Sequence, residues 1–335
     1  MIETIRKLVE AYGPSGYEDE VREIILEEID GLYDDVQVDA LGNLIAWRRS
    51  GKDDASRVML SSHMDEIGLI VSHVDEQGFL RFSNIGGLYP YTLVGNRVRF
   101  KDGTVGVIMH EIKDYSTSSA PKMDQLFIDV SDGSDSPSLR IGDTAVMDYP
   151  LVQRGDRLSA KSMDDRIACA VQVEVMRALK DVEGPNDIAF VFSVQEEVGL
   201  RGARTAAFSI EPDLGIAIDV TRAGDTPKAS TLDQGVSLGK GPAIKIMDSR
   251  FLANPEVIQL MDEAAARTEI ATQREVLTGG TTDANAIQLV RAGVKSGCLS
   301  IPCRYVHSVS ETVDLKDVKG AVTLLADLLS QPITL

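Results

Sequence analysis

Tryptophan is nearly absent from this 335-residue chain: Trp47 stands alone, and aromatic residues together make up 5%. A cleft that stacks sugar rings has little to draw on. Cysteine is equally scarce. Cys169, Cys298 and Cys303 are odd in number and lack metal-type pairing, which fits a reducing cytoplasm rather than a disulfide framework. Basic residues are outnumbered, with 34 Lys and Arg against 52 Asp and Glu and a formal net charge of −18. That balance argues against nucleic acid as a partner, because phosphate binding needs basic patches. No apolar run approaches the roughly 18 to 20 residues of a membrane span. The first ten residues mix charges with apolar positions, unlike a signal peptide. The expectation is a cytoplasmic protein without a membrane partner.

What is present reads as a soluble globular chain, 43% hydrophobic and long enough for two domains or one with a large insertion. Residues 1–12 and about 18–33 read as amphipathic helices, with Gly13-Pro-Ser-Gly16 between them. Residues 36–47 suggest a hairpin around Gly42-Asn43, and 56–61 a short buried strand. From about 69 to 159 the texture changes to short alternating strands at 69–74, 79–82, 97–101, 105–110 and 126–130, separated by turns such as Lys101-Asp-Gly103. This predicts a small all-β barrel or sandwich inserted into an α/β domain. The polar stretches 111–125 and 131–138 read as exposed loops. Helices are then expected at 165–180, 255–267, 282–292 and 315–329, and strands at 188–194, 215–220 and 297–301. Asn254 and Pro255 supply an N-cap and a first helical residue. The division is therefore 1–68 with 159–335 as one α/β domain, and 69–158 as the insertion.

The chemistry gathers at the ends of apolar runs. The run 188–194 stops at Glu196-Glu197, 58–60 runs into His63, and 214–218 ends at Asp219. Asp164-Asp165 opens a helix, and His307 follows the strand at 297–301. In an open α/β sheet, ligands bind beyond the carboxyl ends of the strands. Taken singly these residues are unremarkable: an Asp pair caps a helix, and a Glu pair is usually solvated. Together they supply two of the chain's four histidines and several carboxylates. That donor set suits a pair of divalent metals of the zinc or cobalt type. Two close metals need one bridging carboxylate, and a spare glutamate is left to move a proton.

The motifs His63-Met-Asp-Glu-Ile-Gly68, Ser162-Met-Asp-Asp-Arg166, Gln195-Glu-Glu-Val-Gly199, Ala217-Ile-Asp-Val220 and Ile301-Pro-Cys-Arg-Tyr-Val-His307, in this order, resemble the glutamyl aminopeptidase or tetrahedral (TET) aminopeptidase family of co-catalytic metallopeptidases. Gly13-Pro-Ser-Gly-Tyr-Glu18 and Leu41-Gly-Asn-Leu-Ile45 extend the likeness across nearly the whole chain, weakest over 111–158. The resemblance implies a phosphorylase/hydrolase-like catalytic domain with a mixed sheet, and an inserted PDZ-like β-barrel used for dimerisation. It implies one metal on His63, Asp164 and Asp219, and a second on Asp164, Glu197 and His307, with Asp164 bridging. Glu196 would be the general base and Asp65 would orient His63. Arg166 would support its loop. The substrates would be short peptides with a free N-terminus, and the assembly dimers or a dodecameric tetrahedral shell.

One segment departs from the family pattern. Where Gly-Gly-Thr-Asp-Ala is usual, this chain reads Gly279-Gly-Thr-Thr-Asp-Ala284, in a region that shapes the substrate pocket. Lys245, Arg250 and Arg304 are candidate partners for an acidic substrate side chain, each with surface or structural ion pairing as the plainer role. Two other functions compete. A carboxylate-pair glycoside hydrolase has no use for His63 and His307. A non-catalytic metal-binding assembly protein has no use for a spare Glu196, because structural sites are closed by their ligands.

Overall fold

The computed structural model describes residues 1–111, 121–131, 139–229 and 235–334. The two loops expected at 111–125 and 131–138 lie largely outside the described residues. Helices α1 (Ile2–Glu10) and α2 (Asp19–Glu28) bury Ile5, Leu8 and Val9, and Val21 and Ile25, at helical spacing. The predicted hairpin forms as β1 (Asp35–Val38) and β2 (Leu44–Arg48), antiparallel around Gly42, and β3 (Arg57–His63) follows.

Six strands then close a barrel: β4 (Gly68–Val74), β5 (Leu80–Ile85), β6 (Arg97–Phe100), β7 (Val105–His110), β8 (Leu126–Asp129) and β9 (Thr144–Met147). Their order is β4-β5-β8-β7-β6-β9, every pairing antiparallel, around a core that includes Leu69, Phe82, Val98, Phe100 and Ile128. Closure removes the exposed sheet edges that short strands otherwise present.

The chain returns through β10 (Val152–Arg154) and β11 (Arg157–Ala160), then alternates helix and strand. The elements are α3 (Met163–Leu179), β12 (Asp187–Ser193), α4 (Arg201–Ile210), β13 (Leu214–Arg222), β14 (Ala243–Met247), α5 (Pro255–Thr268), β15 (Gln273–Val276), α6 (Asp283–Gln288), β16 (Lys295–Arg304), β17 (Glu311–Asp314) and α7 (Leu315–Ser330). Asn254 caps α5 by accepting the Glu256 N–H, and Asp314 caps α7 through the Lys316 N–H. The predicted helix at 282–292 is shorter, ending at Gln288, and α4 was not expected.

Eleven strands build one mixed sheet, with β12, β3, β13 and β16 parallel at its centre. These central strands are buried on both faces, so alternation sorts their side chains between two apolar layers. Val58, Leu60, Phe190 and Phe192 pack with α3 and α7. Met59, Ala189 and Val191 pack with α4 and α6 on the other side. Each fully buried large side chain of this kind contributes about 1.5–3 kcal/mol. Among the described residues no helix is long and apolar enough to cross a membrane.

Candidate active site

The parallel strands deliver the candidate residues to one edge. His63 ends β3 opposite Ser193 of β12, whose continuation carries Glu196 and Glu197. Asp219, near the end of β13, faces Ser300 of β16, and His307 lies just beyond β16. Asp164 and Asp165 occupy the first turn of α3 in non-helical conformations. Ser162, Gln195 and His307 all adopt positive φ, at 51°, 57° and 63°. Non-glycine residues in that region cost of order 1 kcal/mol or more and concentrate at functional sites.

All six expected site residues from His63 to His307, with Asp65 behind them, converge. Asp164 lies between the two imidazoles, its Oδ1 3.1 Å from His63 Nε2 and its Oδ2 3.4 Å from His307 Nε2. Glu197 Oε1 is 3.2 Å from His307 Nε2, and Glu196 Oε2 is 3.9 Å from His63 Nε2. Two triplets bring their ligand-type atoms within 4.8 Å of one another: His63 with Asp165 and Asp219, and His63 with Asp164 and Glu197. Asp165 thus stands in the triplet where Asp164 was expected. Its Oδ2 accepts the His63 backbone N–H.

A layer of buried carboxylates fixes these groups. His63 Nδ1 lies 3.0 Å from the backbone carbonyl of Asp65, closer than the 3.4 Å to its carboxylate, so the carbonyl makes the hydrogen bond. The Asp65 carboxylate instead accepts the N–H groups of Glu196 and Glu197 and the Ser15 hydroxyl. Glu311 accepts the N–H of Asp164 at 2.9 Å and of His307 at 2.7 Å, joining two parts of the cluster. Asp283 accepts the hydroxyls of Ser61 and Ser193 beneath the strand ends. Gly86 and Gly87, after β5, bring the barrel against the cluster. A Cβ on Gly86 would meet Glu197 Oε2 at 3.0 Å, and one on Gly87 would meet His307 Nδ1 at 2.8 Å. Arg166 bonds the carbonyls of Leu8 and Gly13 and the Glu66 carboxylate, the supporting role expected of it.

The electrostatics show a shortage of positive charge. Burial pushes Asp219 and Asp165 well above the usual carboxylate range, and Asp164 and Asp219 respectively add repulsion. Glu196 is raised by burial, and further by Asp219 and Glu197. For the imidazole of His63, burial opposes protonation but Glu196, Asp164 and Asp65 override it and raise its pKa well above normal. Glu197 Oε1 and Asp165 Oδ1 are buried without a hydrogen-bond partner. Oxygen and imidazole donors crowded this way, with lone pairs unspent, fit a divalent cation.

The cluster opens into a cavity of about 650 Å³ that Lys245, Arg250, Thr281 and Thr282 also line. Of the three cations proposed for an acidic substrate, Arg304 is spent in a bidentate pair with Asp225 and does not line the cavity. Lys245 and Arg250 do.

Residues 42–324 match the M42 glutamyl aminopeptidase family. The chain belongs to that family. It is an aminopeptidase, a peptide hydrolase. The M42 chain is 37% identical over 345 residues to the lysyl aminopeptidase of Pyrococcus furiosus, covering 98% of this chain and 96% of that one. It superposes with a TM-score of 0.93 and 38% identity on the aminopeptidase APDkam598 of the archaeon Desulfurococcus kamchatkensis, over 98% and 94% of the two chains. It also matches the TET1 peptidase of Pyrococcus horikoshii, described as assembling into a tetrahedron or a large octahedral shell. That match has a TM-score of 0.87 and 33% identity, over 98% and 99% of the chains.

Several parts of this M42 site carry no signal in the sequence. Glu311 sits four residues after His307 in a polar stretch, and nothing local distinguishes it from a surface carboxylate. Gly86-Gly87 reads as a turn. Asp283 alone had a cue, in the glycine- and threonine-rich segment that precedes it.

Proposed function

We propose that this M42 aminopeptidase removes the N-terminal residue from short peptides with the help of two divalent cations, zinc or cobalt by donor type. His63, Asp164 and Asp219 would hold one, and Asp164, Glu197 and His307 the other. The observation that carries this reading is Asp164, whose two oxygens face two different imidazoles, as a bridging carboxylate requires. When bound, such a pair supplies Lewis acidity to the scissile carbonyl and the attacking water.

The chain's own residues do the rest. The Glu196 carboxylate has no hydrogen bond of its own among the described residues, while its backbone N–H is held by Asp65. It takes one proton from the water as oxygen bonds to the carbonyl carbon. It returns a proton to the amide nitrogen as the C–N bond breaks. Asp65 holds the His63 ring from behind and fixes the segment that carries both glutamates. The glycoside hydrolase reading leaves Asp164 between two imidazoles without purpose, and the non-catalytic reading leaves the unbonded Glu196 carboxylate without one.

In this reading 1–68 with 159–335 form the phosphorylase/hydrolase-like catalytic domain, and 69–158 the PDZ-like barrel that mediates self-association. Dimers and a dodecameric tetrahedral shell are the proposed assembly, in the cytoplasm, by analogy with the TET1 neighbour. Aminoacyl-p-nitroanilides and free-amine peptides test the activity on as-purified, chelated and zinc- or cobalt-restored protein, with N-acetylated peptides as controls. Metal-dependent release from free-amine substrates alone is expected. Turnover that survives full chelation, or equal turnover of acetylated peptides, would contradict the proposal.

A further inference from the structure

Two sequence motifs, Gly13-Pro-Ser-Gly-Tyr-Glu18 and Leu41-Gly-Asn-Leu-Ile45, supply neither a proposed metal ligand nor the proposed proton carrier. The fold brings both against the segment that carries Glu196 and Glu197. Strand β12 ends at Ser193, and beyond it four consecutive backbone N–H groups leave the sheet ladder. Backbone donors shielded from water must find acceptors elsewhere. Here each of the four is taken by a side chain. Asn43 Oδ1 accepts the Val194 N–H at 3.0 Å, and Glu18 Oε1 accepts the Gln195 N–H at 3.1 Å. The two Asp65 oxygens accept those of Glu196 and Glu197, at 2.9 and 3.1 Å.

Glu18 has the fewest other duties of these three acceptors. Asn43 also bonds Asp39, the Gly202 carbonyl and Thr205. Asp65 also accepts the Ser15 hydroxyl, and its carbonyl meets the His63 ring. Glu18 Oε1 takes the Gly16 N–H within its own loop at 2.7 Å. Among the described residues, Gln195 is the one partner its side chain bonds outside that loop. The side chain is buried although Gly16, Tyr17 and Asp19 around it are exposed. Gln195 sits at φ 57°, a left-handed conformation that a non-glycine residue keeps only when its surroundings impose it. The next residue is Glu196.

What Glu18 contributes is an oxygen in a fixed place rather than a charge. Both N–H groups converge on the single atom Oε1. Burial, with repulsion from Asp65, raises the Glu18 pKa from 4.5 to about 7, so the group is not fully ionised at neutral pH. An amide carbonyl oxygen accepts the same two bonds.

We propose that Glu18 is a positioning residue for Glu196: its Oε1 holds Gln195 in the left-handed turn and thereby aims the following carboxylate into the cavity. Ser15 ties the same loop to Asp65 at 2.6 Å. The Gly13–Glu18 loop thus grips three consecutive N–H groups, one directly and two through Asp65. The proposal rests on the reading of Glu196 as base. Glu18 touches neither the substrate nor a proposed metal ligand, so its removal falls on kcat. A misplacement of about 1 Å at a reacting group costs about 100-fold.

The test measures kcat, KM and thermal melts for wild type, Glu18→Gln, Glu18→Asp and Glu18→Leu. It uses saturating zinc or cobalt and one aminoacyl-p-nitroanilide that wild type cleaves. Gln keeps the acceptor and removes the charge, Asp keeps the charge and withdraws the oxygen, and Leu removes both. The expected kcat is near wild type for Glu18→Gln. For Glu18→Asp and Glu18→Leu it falls by about 10- to 100-fold with KM nearly unchanged. Combining Glu18→Leu with Asp65→Asn should cost less than the product of the two single losses, because both release the same segment. If Glu18→Leu does not fold, Glu18→Asp carries both comparisons. Variants with lowered melts but wild-type kcat would assign Glu18 a purely structural role and overturn the proposal. A loss in Glu18→Gln as large as in Glu18→Asp also overturns it, as does a double variant whose losses multiply. Glu196→Gln, measured in parallel, separates the two levels: wild-type kcat in that variant overturns the base assignment itself, whatever Glu18 does.

Discussion

The Asp65 carboxylate accepts the backbone N–H of Glu196 at 2.9 Å, while the Asp65 backbone carbonyl lies 3.0 Å from His63 Nδ1. One buried residue thus sets both the proposed base and a proposed metal ligand. His63 and Glu196 come from adjacent parallel strands, so their spacing is fixed by the sheet and their orientation by Asp65.

Replacing Asp65 with Asn turns an amide NH₂ toward one of the two N–H groups that the carboxylate now accepts. A buried N–H left without an acceptor costs about 1–3 kcal/mol. The expected outcome for Asp65→Asn is a kcat loss of about 10- to 100-fold with KM nearly unchanged and the fold retained. Steady-state kinetics with a thermal melt check this, and wild-type kcat in the variant would contradict it.

Gly87 lies where the barrel meets the cluster. An added methyl would sit 2.8 Å from His307 Nδ1 and 3.0 Å from Cε1. The ring is held on its other side by Glu197 and Asp164, so it cannot swing freely. Gly87→Ala is expected to lower kcat/KM by about tenfold or more, since misplacement by about 1 Å is costly. It should also weaken metal retention against a chelator. Unchanged values for both would show that the barrel does not set His307.

Stability at acid pH has an identifiable contributor remote from the site. Glu28 is largely buried, and although burial raises its pKa, Lys7, Arg177 and Thr4 together bring it down to about 2 from 4.5. A depressed folded-state pKa gives stability that is present above about pH 4.5 and lost as the pH falls toward about 2. Its partners are partly exposed, so screening reduces the contribution to about 1–2 kcal/mol. Urea unfolding of wild type and Glu28→Gln from pH 7 to pH 3 should show a stability gap that narrows below pH 4.5. A gap of constant size across that range would contradict the assignment.

The strand-end residues were legible because a buried parallel strand is an unbroken apolar run, and the polar residue that ends it stands out. His63, Glu196 and Asp219 are of this kind. The barrel was legible from its turn spacing. What stayed hidden depends on contacts distant in sequence. Glu311 gains its role only by meeting Asp164, 147 residues away. Strands β14 and β15 were missed because Lys245 and Glu275 interrupt their apolar patterns, and these charges are tolerable only as a pair. Helix α4 was missed because Gly199 and Gly202 dilute its signal. Gly202 is nevertheless required, since a Cβ there would fall 2.5 Å from the Val194 backbone. Arg304 takes the ion-pairing role that was the plainer of its two readings, spent on Asp225.

The most direct measurement is the rate and metal content of Glu196→Gln. The account separates the base from the ligands, so the variant should bind as much metal per chain as wild type. Its kcat should fall by about 10²- to 10⁴-fold, the usual contribution of a positioned proton carrier. A variant that keeps near wild-type kcat would contradict the account. So would one that loses its activity only because it has lost its metal.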